Sequence, residues 1–181
     1  MEPQRMRRSR RRLCLLPLLL IPAWAHAGVQ LVVDGVEDPL KAAVVAGVDL
    51  SQYANRDASE AQVRRLYANA DAQVRTALEP YGYYDASVSG NLEQVGKDWH
   101  VTLHVITGQP EMVTSVDIQL DKAAADLKPV RQARRAVEKL NGQRLDDGAY
   151  DSARDALSGA LTANGFLDAK LLVHRDRKSV V

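Results

Sequence analysis

Ala77-Leu78-Glu79-Pro80-Tyr81-Gly82-Tyr83-Tyr84-Asp85-Ala86 returns 83 positions later as Ala160-Leu161-Thr162-Ala163-Asn164-Gly165-Phe166-Leu167-Asp168-Ala169. In both copies a helical pattern runs into Gly, then into aromatic or apolar residues, then Asp-Ala and a strand-like stretch. At the same offset Tyr67 matches Tyr150, Ala70 matches Ala153, Val74 matches Leu157 and Val88 matches Leu171. The matches fall on apolar helix positions and on the turn, the places where a fold constrains residue type. A repeat this long exceeds a solenoid unit and suits a small domain used twice in tandem.

Working outward from the first copy, Val63, Leu66, Tyr67, Ala70, Val74, Ala77 and Leu78 fall three or four apart, which predicts a helix with one buried face. Asp57 or Ser59 can cap it, with Glu60 or Gln62 in the reciprocal position of a capping box. Pro80 and Gly82 stop it. After Gly82 the period changes to two. Tyr84, Ala86 and Val88 alternate with Asp85, Ser87 and Ser89; beyond a turn at Gly96, Trp99, Val101, Leu103 and Val105 alternate with His100, Thr102 and His104. Strict alternation predicts an antiparallel hairpin with one buried and one wet face. Upstream, Val29 to Val36 reads as a strand ending in a Gly turn, and Asp38-Pro39 as the N-cap and first position of a short helix carrying Leu40 and Val44. The order is strand, helix, helix, strand, strand.

Thr107-Gly108-Gln109-Pro110 is a short linker, after which the grammar restarts. Val113 to Leu120 is predicted to be a strand, and Pro129 to start a helix bearing Val130, Ala133, Val137 and Leu140. Asn141-Gly142 closes that helix. Asp146 or Asp147 caps the next, with Tyr150, Ala153, Leu157, Ala160 and Leu161 on its apolar face, and Ala169 to His174 reads as the fourth element. A fifth element is expected to be missing, because Arg175-Asp176-Arg177-Lys178 shows no turn and no second alternating run. The fold class is therefore α+β: two units, each a three-stranded sheet with two helices on one face, the second lacking its last strand. The expected boundaries are a signal peptide at 1–27, a first domain at 28–108, a linker at 109–112, an incomplete second domain at 113–175 and a tail at 176–181.

The leader rests on six arginines between Arg5 and Arg12, a short apolar stretch from Leu13 to Ile21, and Ala25-His26-Ala27 as a small-x-small cleavage pattern. The apolar stretch is well short of the roughly 20 residues that cross a bilayer. The chain has 24 Lys+Arg and 23 Asp+Glu, of which residues 1–27 hold six and one; 18 and 22 remain, a net of −4, and nothing there invites nucleic acid. Cys14 is the only cysteine, so the remainder folds by packing without disulfides.

No catalytic, metal or cofactor site is expected. His100 and His104 share a strand face but stand about 13 Å apart at the strand rise, too far to ligate one ion unaided. The chain has no Gly-x-Ser-x-Gly, and Asp85 and Asp168 are repeat equivalents, which places them in different units. Their expected role is to satisfy backbone donors at the helix-to-strand bend. Tyr83 and Phe166 are read as equivalent core anchors, and Gly82 and Gly165 as helix stops with positive φ. Arg131, Arg134 and Arg135 follow helical spacing and are read as a solvated face.

Two such units behind a signal peptide, marked by Gly82-Tyr83-Tyr84-Asp85-Ala86, Gly108-Gln109-Pro110 and Gly165-Phe166-Leu167-Asp168-Ala169, resemble POTRA domains. The pattern is most similar to the N-terminal region of TamA-like proteins, the barrel subunits of the translocation and assembly module. The resemblance implies a periplasmic, outer-membrane-associated scaffold with no cofactor. Its implied partners are a TamB-like inner-membrane-anchored protein, an outer-membrane barrel absent from this chain, and client outer-membrane proteins or autotransporters. It also implies that the strand after the second helix lies at a sheet edge, so that Tyr84, Ala86, Val88, Gly90 and Leu92 receive an extended partner by β-augmentation. The alternatives are the periplasmic part of a two-partner secretion transporter or surface-antigen-type protein and, from another class, a secreted enzyme or carbohydrate-binding module.

Overall fold

The computed structural model describes residues 28–167. The expected leader, Asp168, the expected strand Ala169–His174 and the charged tail lie outside the described residues. Two separate clusters of buried apolar side chains organise the rest, one in each half.

The first half begins with β1 (Val29–Asp34), which buries Val29 and Val33. Helix α1 (Leu40–Gly47) follows and buries Val44. The expected cap at Asp38 is not formed: Pro39 holds the cap position with no side-chain bond. The backbone supplies the need instead, since the Lys41 amide donates to the Glu37 carbonyl at 3.0 Å. The polar stretch beyond α1 contains a 3-10 turn at Asp49–Tyr53 that buries Leu50. Asp49 is tied to the following helix twice: its amide donates to Gln73 Oε1 at 3.0 Å, and Gln73 Nε2 donates to its Oδ2 at 2.6 Å.

Helix α2 (Glu60–Leu78) turns Val63, Leu66, Ala70, Val74 and Leu78 into the first cluster. Ser59 caps it, its hydroxyl accepting from the Gln62 amide at 3.3 Å. The reciprocal bond of a capping box, from the Ser59 amide to Gln62 Oε1, is not formed; the Gln62 side chain turns instead to Tyr53, its Nε2 donating to the hydroxyl at 2.7 Å. A short 3-10 turn at Glu79–Tyr81, with Pro80 in its first turn, leads to Gly82 at φ 80°.

Strands β2 (Ser87–Val95) and β3 (Asp98–Ile106) form the expected hairpin, with Gly96 at φ 65° in its turn. The sheet order is β1-β3-β2, with β1 parallel and β2 antiparallel to the central β3. Trp99, Val101, Leu103 and Val105 are buried in the first cluster, as their alternation requires. The opposite face carries Gln30, Asp34, Thr102, His104, Ser89, Asn91 and Glu93, all exposed.

The second half is helical where described: α3 (Lys122–Ala125), α4 (Lys128–Glu138) and α5 (Asp147–Ala163). Helix α4 buries Val130 and Val137; α5 buries Ala153, Leu157 and Leu161 and is capped by Asp146, whose carboxylate accepts from the Ala149 amide at 2.9 Å. The strand expected at Val113–Leu120 is not formed. Among the described residues it pairs only at its first residue, where Val113 donates to the Gln143 carbonyl at 2.9 Å and accepts from the Gly142 amide at 2.8 Å, beside an isolated antiparallel bridge between Met112 and Arg144. The side-chain alternation survives: Val116, Ile118 and Leu120 pack on the second cluster while Asp117 and Gln119 are exposed. A period of two reports which side chains are buried; a strand also needs a neighbour for its backbone groups, and no described strand lies beside this one. Helix α3, which places Ala124 in the core, was not anticipated because four residues are too few to show a period.

Candidate functional site

Two features stand out: an open sheet edge along β2, and a clasp between the halves.

The geometry of the edge follows from the hairpin. A two-residue turn, Gly96-Lys97, makes Val95 and Asp98 the hydrogen-bonded pair. Pairs then alternate along the antiparallel ladder. Ser87, Asn91 and Glu93 therefore direct their amides and carbonyls to β3, while Val88, Gly90, Leu92 and Gln94 direct theirs away from it. The other side of β3 agrees: the Trp99 amide, opposite Gln94, donates across to the Gly28 carbonyl of the β1 side at 3.0 Å. Beyond β3 the packing neighbour of β2 is α2, so these outward-directed groups look onto an edge that no described element covers.

Five residues carry the edge expectation, and the structure divides them. Val88, Gly90 and Leu92 lie in β2 with outward-directed backbone groups, and Val88 and Leu92 pack partly on the first cluster. Tyr84 and Ala86 precede the strand. Ala86 is fully buried in the core, which removes its side chain from any edge contact. The small size of Gly90 serves packing beneath the sheet. A β-carbon there would stand 2.7 Å from the Thr102 carbonyl oxygen, 3.0 Å from the Tyr67 hydroxyl and 3.1 Å from Leu103 Cδ2.

The histidines lie on the polar face. His104 Nδ1 sits 2.5 Å from Asp34 Oδ1, a pairing created by the parallel register of β1 and β3. Among the described residues no cluster of three His, Cys, Asp or Glu could hold a metal ion.

The clasp joins the Tyr81-Gly82-Tyr83 turn to the second half. The Glu111 amide donates to the Gly82 carbonyl at 2.8 Å, and the Leu145 amide donates to the Glu111 carbonyl at 2.8 Å. Arg144 donates through Nη1 to the Tyr81 carbonyl at 3.0 Å and through Nη2 to Asp146 Oδ2 at 3.3 Å. Its guanidinium carbon lies 5.4 Å from the centre of the Tyr83 ring, a cation–π distance. Gly82 is enclosed: a β-carbon there would meet the Leu145 carbonyl oxygen at 2.5 Å. Tyr83 packs partly on the first cluster and Phe166 on the second. Sequence reasoning missed Glu111, Arg144 and Leu145, because two of the three act through backbone groups that every residue carries.

No helix among the described residues is long and apolar enough to cross a membrane. Residues 30–107 match the family model described as POTRA domain, TamA domain 1. A search of curated proteins finds no match. Among solved structures, the chain is similar to POTRA1-3 of the periplasmic domain of Omp85 from Anabaena, at 15% identity and a TM-score of 0.35, covering 82% of this chain and 54% of that one. The chain thus spans about half the length of that solved structure. Strand, helix, helix and strand hairpin stand in order within residues 30–107, the stretch that is similar to the first POTRA domain of TamA.

Proposed function

We propose that the chain is a scaffold in outer-membrane protein assembly and translocation, and that it holds extended segments of its partners by strand addition along the free edge of β2. POTRA regions of Omp85-type proteins are periplasmic interaction modules. The observation that carries the finer reading is the row of backbone groups at Val88, Gly90, Leu92 and Gln94, directed away from β3 on a strand with no described neighbour beyond it. An extended segment laid there gains main-chain hydrogen bonds at alternate residues. On the helix side its side chains would meet Val88, Leu92 and the rim of α2 around Tyr67; on the other side they would meet Ser89, Asn91 and Glu93. The edge carries little to repel a strand: Glu93 is the only charged residue between Ser87 and Val95. In this reading 28–108 and 113–175 are two POTRA-type units joined at 109–112, behind a signal peptide at 1–27. The segments received belong to a TamB-like partner or to client outer-membrane proteins and autotransporters, and the units stand ahead of an outer-membrane barrel.

The test is isotope-labelled protein titrated with synthetic peptides from the terminal strands of barrel clients and of a TamB-like partner. Amide shifts should change at Val88, Gly90, Leu92 and Gln94 more than at Ser89, Asn91 and Glu93. Gln94→Pro removes one outward-directed amide without touching the β3 ladder, and should weaken binding while the fold holds. Binding that leaves β2 unperturbed, or that is indifferent to Gln94→Pro, refutes strand addition there.

A further inference from the structure

We propose that the outer face of α4 is a docking ridge for a membrane surface rich in anionic phospholipid. Residues 128–139 hold five basic residues and one acid, in a chain that is net acidic beyond its leader. At the helical period Lys128, Arg131, Arg135 and Lys139 fall on one stripe, and all four are exposed. The stripe is turned away from Val130 and Val137, which are buried in the second cluster. It runs for about 16 Å at the rise of an α-helix.

The chain treats its other charged helix surfaces differently. Opposite charges stand one turn apart and meet: Glu60 with Arg64 at 2.8 Å, Asp71 with Arg75 at 3.0 Å and Asp151 with Arg154 at 2.9 Å. On the flank of α4 itself Arg134 meets Glu138 at 2.7 Å. Such pairing is what a helix face that meets only water gains from its charges. Along the stripe like charges stand one turn apart instead, Arg131 beside Arg135 and Arg135 beside Lys139, which weakens the helix. Lys128 lies in the first turn, where the helix dipole disfavours a cation, and that turn holds no acid and no capping side chain. Arg131 reaches the Asp126 carbonyl at 2.7 Å. Lys128, Arg135 and Lys139 have no ion-pair partner among the described residues. A local cost that the fold does not offset marks a surface shaped for something outside it.

Shape selects the kind of anion. Cations on long side chains along a convex helix can all touch a plane at once, and mobile headgroups can gather under each of them. An extended acidic peptide needs a groove or a sheet edge to hold it. The inference takes from the proposed function only a place beside membranes, and not strand addition at β2; vesicle binding is read without any client peptide, so either reading can fail alone.

The exported protein, without residues 1–27, is sedimented with vesicles of phosphatidylcholine and with vesicles of which about one-third is phosphatidylglycerol. It should partition to the anionic vesicles and not to the neutral ones, and high salt should release it. Arg131→Gln with Arg135→Gln keeps good helix formers at exposed positions, so the circular dichroism should not change. That double variant should cut the partition coefficient about 30-fold, roughly fivefold for each cation. Lys41→Gln with Lys97→Gln removes the same charge from exposed positions of the first half and should change partition less than about twofold. No preference for anionic vesicles, an equal loss in both double variants, or saturable binding to a glutamate-rich peptide tighter than to vesicles would each overturn the proposal.

Discussion

Replacing Gly82 with alanine, beside the same change at Gly165, separates a helix stop from a clasp. Both positions hold left-handed backbone, so each alanine pays the left-handed penalty of roughly 1–2 kcal/mol. At Gly165 little else is charged, because the new methyl meets open space among the described residues. At Gly82 the methyl would stand 2.5 Å from the Leu145 carbonyl oxygen, and backbone cannot swing away as a flexible side chain can. The second half must shift, which strains the Glu111–Gly82 and Arg144–Tyr81 hydrogen bonds, each worth about 1 kcal/mol. The stacking of Arg144 on Tyr83 contributes about 0.5–1 kcal/mol more. Gly82→Ala should therefore cost about 2–3 kcal/mol more than Gly165→Ala. Urea denaturation followed by circular dichroism measures the difference, and amide exchange at Glu111 and Leu145 reports the clasp directly. Equal costs for the two alanines, or unchanged protection at Glu111 and Leu145 in Gly82→Ala, would refute the reasoning.

Other perturbations test separate links. Arg144→Ala should destabilise by about 1–2 kcal/mol, and a double-mutant cycle with Tyr83→Ala should return a coupling of about 0.5–1 kcal/mol if guanidinium and ring act together. Ser59→Ala removes the acceptor for the Gln62 amide and should cost about 1 kcal/mol in denaturant titration. Leu78→Ala opens a fully buried site where α2 meets the sheet, and about 3–5 kcal/mol of lost stability is expected by the same titration. Replacing His100 and His104 together with Gln leaves the buried face of β3 untouched; stability should change by less than about 0.5 kcal/mol, and added zinc should not raise the melting temperature.

Much of the first half could be read in the residues. Alternation at Trp99, Val101, Leu103 and Val105 and three-to-four spacing from Val63 to Leu78 correspond to burial observed at each of those β3 positions and along α2, because solvent exclusion acts on each side chain where it stands. The cap at Ser59 was one of two candidates, and the choice rested on which hydroxyl or carboxylate faced the helix end. At Val113–Leu120 the same kind of pattern misled: it reported burial of Val116, Ile118 and Leu120, but a ladder depends on a second strand that the pattern itself does not contain.

The candidate edge shows the same division. Nothing local distinguishes Val88, Gly90, Leu92 and Gln94 as the residues with outward-directed backbone; that follows from the register set by the Gly96-Lys97 turn. The space at Gly90 belongs to Tyr67, a neighbour brought in by the packing of α2 on the sheet. His104 meets Asp34 across 70 residues only because β1 runs parallel to β3.

By itself the sequence determined the repeat, the faces of its helices and hairpin, and the two glycine turns, since periodicity and backbone preference are properties of neighbouring residues. Packing between distant segments decides that β2 is left at a sheet edge, and that the Gly82 turn is closed by Arg144, Leu145 and Glu111 while the Gly165 turn meets no such partner among the described residues. Those outcomes depend on amides and carbonyls common to every residue, whose partners are chosen by how distant segments pack and not by what the residues are.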